Sequence, residues 1–406
     1  MGYTKEELLA ALGAADLHER IFDRYDETMA EYDSRGVYFL CDEFLDRIEE
    51  KHRFLGDKLP LLKAAALGVR ENELCARYSL LLYRMLERNR GLPIIRLTDR
   101  PKSDDPGLLA SFRMAAYFAL LATAPSMMEE YDDRGIPDKI RRDTALSCYY
   151  APVGIDRETG SCSFNDDVSF WWNQHYANLN IFRIGALNFQ INLKFERKVS
   201  VFKSNTGEYA LMPDGSDVAG GGHIAGSAGY PDADFFADVK EDSESYSGYP
   251  IDTGEATVGG ERVTLPKSRW KRILKPGDTV IGIHISADSK ITPENCRRAF
   301  SECTDFLKCS FPEYKPNAFS CASWLLDPTL SKMLPESANI VTFGKHFLRF
   351  PVCSGGKSVF TFLFRGHFDS YEDLPERTTL ERAVKAHYIK GNYIYDTGGV
   401  FFGYGI

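Results

Sequence analysis

The spacing of apolar residues changes along this chain, and that change limits the folds open to it. Over residues 1–150 apolar side chains recur at steps of three and four. Beyond Arg262 they come instead in short, nearly unbroken runs separated by turn residues. The stretches 5–12, 17–32, 37–54, 71–89, 108–123 and 139–150 read as helices. In 37–54, Phe39, Leu40, Phe44, Leu45 and Ile48 share a face; in 71–89, Leu74, Tyr78, Leu81, Leu82, Met85 and Leu86 do the same. Gly36, Gly68 and Gly91-Leu92-Pro93 punctuate the pattern. Amphipathic helices on short loops predict a helical bundle over 1–150. It holds no reactive cluster, so its expected role is to wall a cleft or bind a partner.

Residues 151–406 predict a second, mixed α/β domain, giving an α+β chain overall. An aromatic-rich helix is expected over 167–182 and a period-two strand over 186–195, where Leu187, Phe189, Ile191, Leu193 and Phe195 alternate with polar residues. Runs at 199–203 and 209–212 flank Asn205-Thr206-Gly207 as a hairpin. In 208–261 twelve acidic residues meet one basic residue, Lys240, and Gly220-Gly221-Gly222 and Gly259-Gly260 add freedom. This reads as a loose acidic, Gly-rich surface insertion, with a short hairpin near 256–263. The Gly-Gly-Gly-His run lacks the Lys-Ser or Lys-Thr of a phosphate loop.

The run T-V-I-G-I-H-I-S at 279–286 reads as an interior strand. Thr292, Pro293 and Glu294 carry the signature of a helix start, and Cys296, Ala299, Phe300, Cys303, Phe306 and Leu307 share its inner side. Strands follow at 318–324 and 358–365, helices at 330–334, 339–347 and 379–389, and a strand, Gly turn and strand at 392–406.

Net charge is −9 over 406 residues, which disfavours a nucleic-acid partner. The apolar stretch 114–128 is short for a membrane span and contains Pro125, and no leader-like segment opens the chain, so no membrane partner is expected. Nine cysteines with no C-x-x-C spacing suggest free thiols in a reducing cytoplasm rather than a zinc site.

Ligands of such sheets sit beyond the carboxyl ends of the strands. Three features lie there. The loop 286–293 entering a helix, with Lys290, Arg297 and Arg298 nearby, suits an anion such as the pyrophosphate of coenzyme A, or is an ordinary capped helix. His284, ending an apolar strand, reads as a general base or as a hydrogen-bonded core histidine. Asp327 before Pro328 reads as an amine-positioning carboxylate or as a helix cap. Cys321 lies inside a strand without a basic partner and reads as core. His223, His346, His367 and His387 show no metal-ligand spacing, and no H-E-x-x-H, G-x-S-x-G, G-x-G-x-x-G or Walker sequence is present.

F-R-I-G-A-L-N-F at 182–189, V-I-G-I-H-I-S at 280–286, S-W-L-L-D-P at 323–328 and E-S-A-N-I-V-T-F at 336–343, following a helical half, resemble a family of bacterial two-domain acyltransferases. The resemblance spans roughly residues 5–406 and implies a helical N-terminal domain followed by a GNAT-like domain. It implies acyl transfer from acyl-CoA or acetyl-CoA, without a metal, to an amine of a small molecule or peptide. It puts the coenzyme on Ser286, Ser289, Lys290 and Thr292 of the loop, on Arg297 and Arg298 of the helix, and beside Asn339. His284 and Asp327 then fall to the base and to amine positioning, and His346 to protonation of the leaving thiolate. The sequence departs from the usual phosphate loop, because residues 286–299 contain no glycine, and the Tyr that often serves as general acid is absent. A second reading is a non-catalytic ligand-binding or scaffold protein with a degenerate GNAT-like domain. A third is a thiol-dependent hydrolase using Cys321. Oligomeric state is left open.

Overall fold

In the computed structural model, which describes residues 3–156, 159–364, 368 and 370–405, the helices of the first half start and stop at their capping residues. Thr4 and Glu7 form a capping box at the start of α1 (Lys5–Leu12), and Gly13 ends it at φ 61. The expected helix over 17–32 is two pieces, a 3-10 turn at Glu19–Phe22 and α2 (Tyr25–Arg35). Arg24, in the left-handed region at φ 55, divides them. After α3 (Asp42–His52) comes α4 (Leu59–Glu71), which was not anticipated. Asn72 closes it and accepts the Cys75 N–H to open α5 (Glu73–Arg88). Asp105 caps α6 (Pro106–Leu121). Then follow α7 (Ala124–Asp133), α8 (Asp138–Ala145), the hairpin of β1 (Val153–Ile155) with β2 (Cys162–Phe164), and α9 (Val168–Ala177).

These elements form one of two compact units, Met1–Arg183, the other being Ile184–Ile406. The boundary falls later than the expected 150, because 151–183 adds a hairpin and one more helix to the helical unit. Its hub is α5, buried along most of its length and packed on α2, α4 and α6. Arg77 is 3% exposed there; Asp33 and Glu73 bond its guanidinium at 2.8 and 2.9 Å, which offsets the cost of burying the charge. The helical stretch 106–133 is apolar and long enough to cross a bilayer, yet 67% of its most apolar window is buried inside the protein.

The second unit is built on a six-stranded sheet. Its strands are β3 (Ile181–Ile184) at the unit boundary, β4 (Leu187–Lys194), β15 (Thr279–His284), β16 (Phe319–Ser323), β17 (Leu348–Pro351) and β18 (Thr397–Phe401), in the order β17-β18-β16-β15-β4-β3. Only the central pair β15/β16 is parallel among the registered pairs β4/β15, β15/β16, β16/β18 and β17/β18. The long helix α10 (Pro293–Ser310) makes the crossover that a parallel pair requires. Its Phe300 packs on Phe189, Phe319 and Phe401 of one sheet face. On the other face Val280, Ala318, Phe350 and Val400 join a core with Val201, Leu211 and Leu274.

That second core comes from the segment between β4 and β15, and it overturns the expectation of a loose insertion. β5 (Val199–Ser204), β6 (Tyr209–Pro213) and β14 (Trp270–Leu274) form a sheet in the order β14-β5-β6. Small two- and three-stranded sheets fill the rest: β7 (Ser216–Val218) with β8 (Phe235–Ala237), β9 (Lys240–Glu241) with β10 (Ser245–Gly248) and β13 (Val263–Pro266), and β11 (Ile251–Asp252) with β12 (Thr257–Val258). The acidic residues are employed. Asp242 accepts from the Glu244 and Ser245 N–H groups, Asp238 pairs with Arg262, and Glu241 pairs with Lys267 and Arg272.

After β16 the chain forms α11 (Thr329–Met333) and α12 (Asn339–Gly344), and α13 (Thr379–Ile389) precedes β18. The strand expected over 358–365 is absent: residues 358–364 are helical, and Arg365 lies outside the described residues. Alternation would have buried Phe360, Phe362 and Phe364 together, but Phe362 is 65% exposed while Val359 and Phe364 are buried. The strand pair expected over 392–406 is a single strand, β18, which lies between β16 and β17.

Candidate functional site

The site grows from a register fault in β4. Leu193 pairs with Val280 and Gln190 with Gly282, so Ile191 and Asn192 stand opposite Ile281 alone. Asn192 absorbs the extra residue at φ 54, a conformation that asparagine tolerates better than most side chains. Beyond this bulge the partners are Ile283↔Phe189 and His284↔Asn188. Gly282 permits the close approach: a Cβ there would lie 2.8 Å from Leu193 Cδ2 and 3.3 Å from Gln190 Cβ.

Cross-strand partners point to the same face. Asn188, Gln190, His284 and Ser286 therefore make one polar strip at the carboxyl end of β15, on the face opposite Phe189 and Phe300. His284 Nε2 lies 3.0 Å from Gln190 Oε1. The amide oxygen can only accept, so Nε2 carries the proton in this bond. Asn188 Nδ2 donates to Ser286 Oγ. Asn188 is 2% exposed, and its Oδ1 has no partner among the described residues, an arrangement that costs stability unless a ligand supplies a donor.

Beside this strip β15 and β16 part. Their parallel pairing holds at Ile281↔Phe319 and Gly282↔Ser320 and goes no further. From there β15 stays with β4 as far as His284↔Asn188, while β16 stays with β18 as far as Ser323↔Thr397. A cleft of about 160 Å³ opens here, lined by Gly282, His284, Ser320 and Ala322 with Leu193 and Arg197.

From His284 the chain turns through Ser286, whose carbonyl accepts the Ser289 N–H at 2.9 Å. Ser289 Oγ is buried without a partner among the described residues. Thr292 caps α10 by accepting the Asn295 N–H at 3.2 Å, as the sequence predicted. Lys290, Arg297 and Arg298 are exposed around this helix end. Arg298 is tethered, donating to Asn295 Oδ1 at 3.1 Å and lying 3.9 Å from Glu302.

The other expected residues do not gather around His284. His346 packs edge-on against Phe300, hence on the opposite sheet face, and burial and the nearby Arg297 push its pKa down. Asp327 is 4% exposed and caps the turn into α11: Oδ1 accepts the Thr329 N–H at 2.8 Å and Oδ2 accepts the Tyr395 N–H. Burial pushes its pKa up. Asn339 opens α12 and is exposed. Cys321 is core, its thiol pushed up to about 12 by burial, which leaves no thiolate for a hydrolase. His223 and His387 line a separate cavity, and His367 lies outside the described residues. Among the described residues no group of three or more His, Cys, Asp or Glu side chains is placed to hold a metal.

The model of the GNAT-like C-terminal domain matches residues 181–401, more than half of the chain. The chain belongs to this GNAT-like family. No curated protein matches it. In fold it is similar to an acyltransferase solved with decanoyl-CoA and teicoplanin (TM-score 0.58) and to an acyltransferase variant solved with octanoyl-CoA (TM-score 0.60). Each is 18% identical over 98% of both chains. The bulge, the parted strands and the capped helix all fall inside the GNAT-like segment. Asn188 and Gln190 were missed as site residues because they occupied the polar positions of an alternating strand, where solvent exposure is the ordinary expectation. Their signal was amide side chains facing a histidine at the end of an otherwise apolar strand.

Proposed function

We propose that this protein is an acyl-CoA-dependent N-acyltransferase acting on an amine of a small molecule or peptide. The parting of β15 from β16 beyond Gly282 is the observation that carries the reading. Beyond Gly282 no residue of β16 is in register with β15, the setting in which an extended chain with amide groups of its own adds as a strand. The pantetheine arm of coenzyme A has that chemistry. Ser289, Thr292 and the cationic groups of Lys290 and Arg297 at the α10 N-terminus suit its phosphates. The likeness to structures solved with acyl-CoAs supports the same reading.

The thioester supplies an activated carbonyl. The amine must lose a proton to attack it; C–N forms as C–S breaks, and the thiolate takes up a proton. His284, oriented by Gln190, is the base in this reading. Backbone N–H groups at the parted strand stabilise the oxyanion. Asp327, committed to two backbone donors and lining another cavity, and Asn339, exposed at the start of α12, are given no part in the transfer. We also propose a cytoplasmic setting, since all nine cysteines are free thiols.

The test is a melting series with acetyl-, octanoyl- and decanoyl-CoA, followed by thiol release on adding amines. A ligand with a Kd near 1 μM at about 1 mM adds about 4 kcal/mol of stability. No shift with any acyl-CoA overturns the proposal. A shift without thiol release for any amine supports the non-catalytic reading, which the absence of glycine from 286–299 favours.

A further inference from the structure

A second cavity of about 400 Å³ lies in the GNAT-like unit, beyond the carboxyl end of β16 and the start of β18, and shares no lining residue with the cleft at His284. Its walls are aromatic. His223 stacks on Tyr230 with ring centres 4.1 Å apart and planes 16° from parallel, and Tyr395 lies 5.0 Å from His223. Tyr393 continues the wall, 6.1 Å from Tyr395. The Tyr395 hydroxyl is fixed by donating to Ala228 O at 2.9 Å.

Three carboxylates line the same space: Glu255, Asp327 and Asp396. Lys332 neutralises Glu255 at 2.6 Å. Asp396 is held through Oδ2 by the Ser354 and Ser358 hydroxyls, at 3.2 and 2.7 Å, and Asp327 by backbone N–H groups. Among the described residues neither of the two has a cation within 4 Å. Arg349, the nearby guanidinium, is committed to the Thr253 and Gly254 carbonyls. Electron-rich ring faces beside two carboxylates that no cation pairs with directly attract a cation, and flat walls select one carried on a ring.

We propose that this cavity binds an organic ammonium ion bearing a flat ring, a site distinct from the acyl-CoA cleft and independent of the transfer reading. The probes are phenethylammonium, neutral 2-phenylethanol and anionic 3-phenylpropanoate, added to the full chain at pH 7.5 and followed by calorimetry. Phenethylammonium binds, and the other two bind at least about tenfold more weakly, because only the cation meets the carboxylates. Asp396→Asn weakens phenethylammonium about tenfold or more, and Tyr230→Leu does the same. Circular dichroism confirms that each variant is folded. Tyr230 makes none of the serine bonds of Asp396, so it serves if Asp396→Asn fails to fold. Equal binding of the neutral analogue, or unchanged affinity in both folded variants, overturns the site. Acyl-CoA affinity, measured on the same samples, stays unchanged in either variant. Its absence in the native protein would sink the acyltransferase reading and leave this one standing.

Discussion

His175 should make the helical unit acid-sensitive, and the size of the effect can be worked out. It lies in α9 against Trp171 and Trp172, and its Nδ1 is buried with no partner among the described residues. Burial pushes its pKa from 6.5 down to about 4. The unfolded chain therefore takes up a proton near pH 6.5 that the folded protein refuses until about pH 4. Stability is whole above 6.5, falls as the pH drops, and levels off below about 4. At 1.36 kcal/mol per pH unit the loss is about 2 kcal/mol by pH 5 and about 3 by pH 4. His52, His223 and His346 are shifted the same way and steepen the native curve, so a comparison must isolate His175. His175→Phe keeps a ring against the tryptophans and removes the titration. Urea unfolding followed by circular dichroism, run from pH 7.5 to 5, should show the variant gaining about 2 kcal/mol on the native protein. Parallel curves for the two would refute the reasoning. The result also bears on catalysis, because an acid limb in the rate profile has to be separated from this loss of fold before it is assigned to a base.

Three further outcomes are expected. Removing the base by His284→Ala should cut kcat by about 10²–10⁴-fold with acyl-CoA affinity unchanged, and Gln190→Leu should cut it less; full turnover in His284→Ala would remove it from the mechanism. Asn188→Leu takes away a buried amide with an unmet acceptor, so it should unfold within about 1 kcal/mol of the native protein, or later, while weakening acyl-CoA binding or turnover. A disulfide reagent should label Cys309 and Cys353 quickly in the native state and all nine thiols in denaturant; activity should survive the fast phase, since Cys321 is buried.

Local signals in the sequence read well wherever a single element decided the structure. T-V-I-G-I-H-I-S formed the central strand, and Thr292 capped α10, because both depend on residues a few positions apart. The acidic stretch 208–261 misled because its partners are distant in sequence. Glu208, Glu241 and Glu255 pair with Arg269, Lys267 with Arg272, and Lys332, all outside the window in which charge was counted. Residues 358–364 misled for a different reason. A short aromatic run is compatible with either period, and Phe360 found partners in Tyr371 and Tyr388 that a strand would not have reached.

The same distinction explains why the candidate site was half legible. His284 and the loop after it belong to one segment, and strand-end placement was enough to find them. What makes His284 more than a core histidine is β4, ninety-odd residues earlier, and β4 faces it correctly only because of the fault at Ile191 and Asn192. Were Asn192 to pair regularly instead of bulging, the side-chain alternation would run on unbroken from Leu193, and the set facing Val280 would no longer include Gln190 and Asn188. A one-residue slip would then put Phe189 beside His284 and leave the amides against Phe300. The chemistry at the parted strands thus rests on a residue that touches none of the reacting groups. Asn192→Val, whose β-branched side chain resists φ 54, should favour that slip and cut transfer, whereas Asn192→Gly should be tolerated.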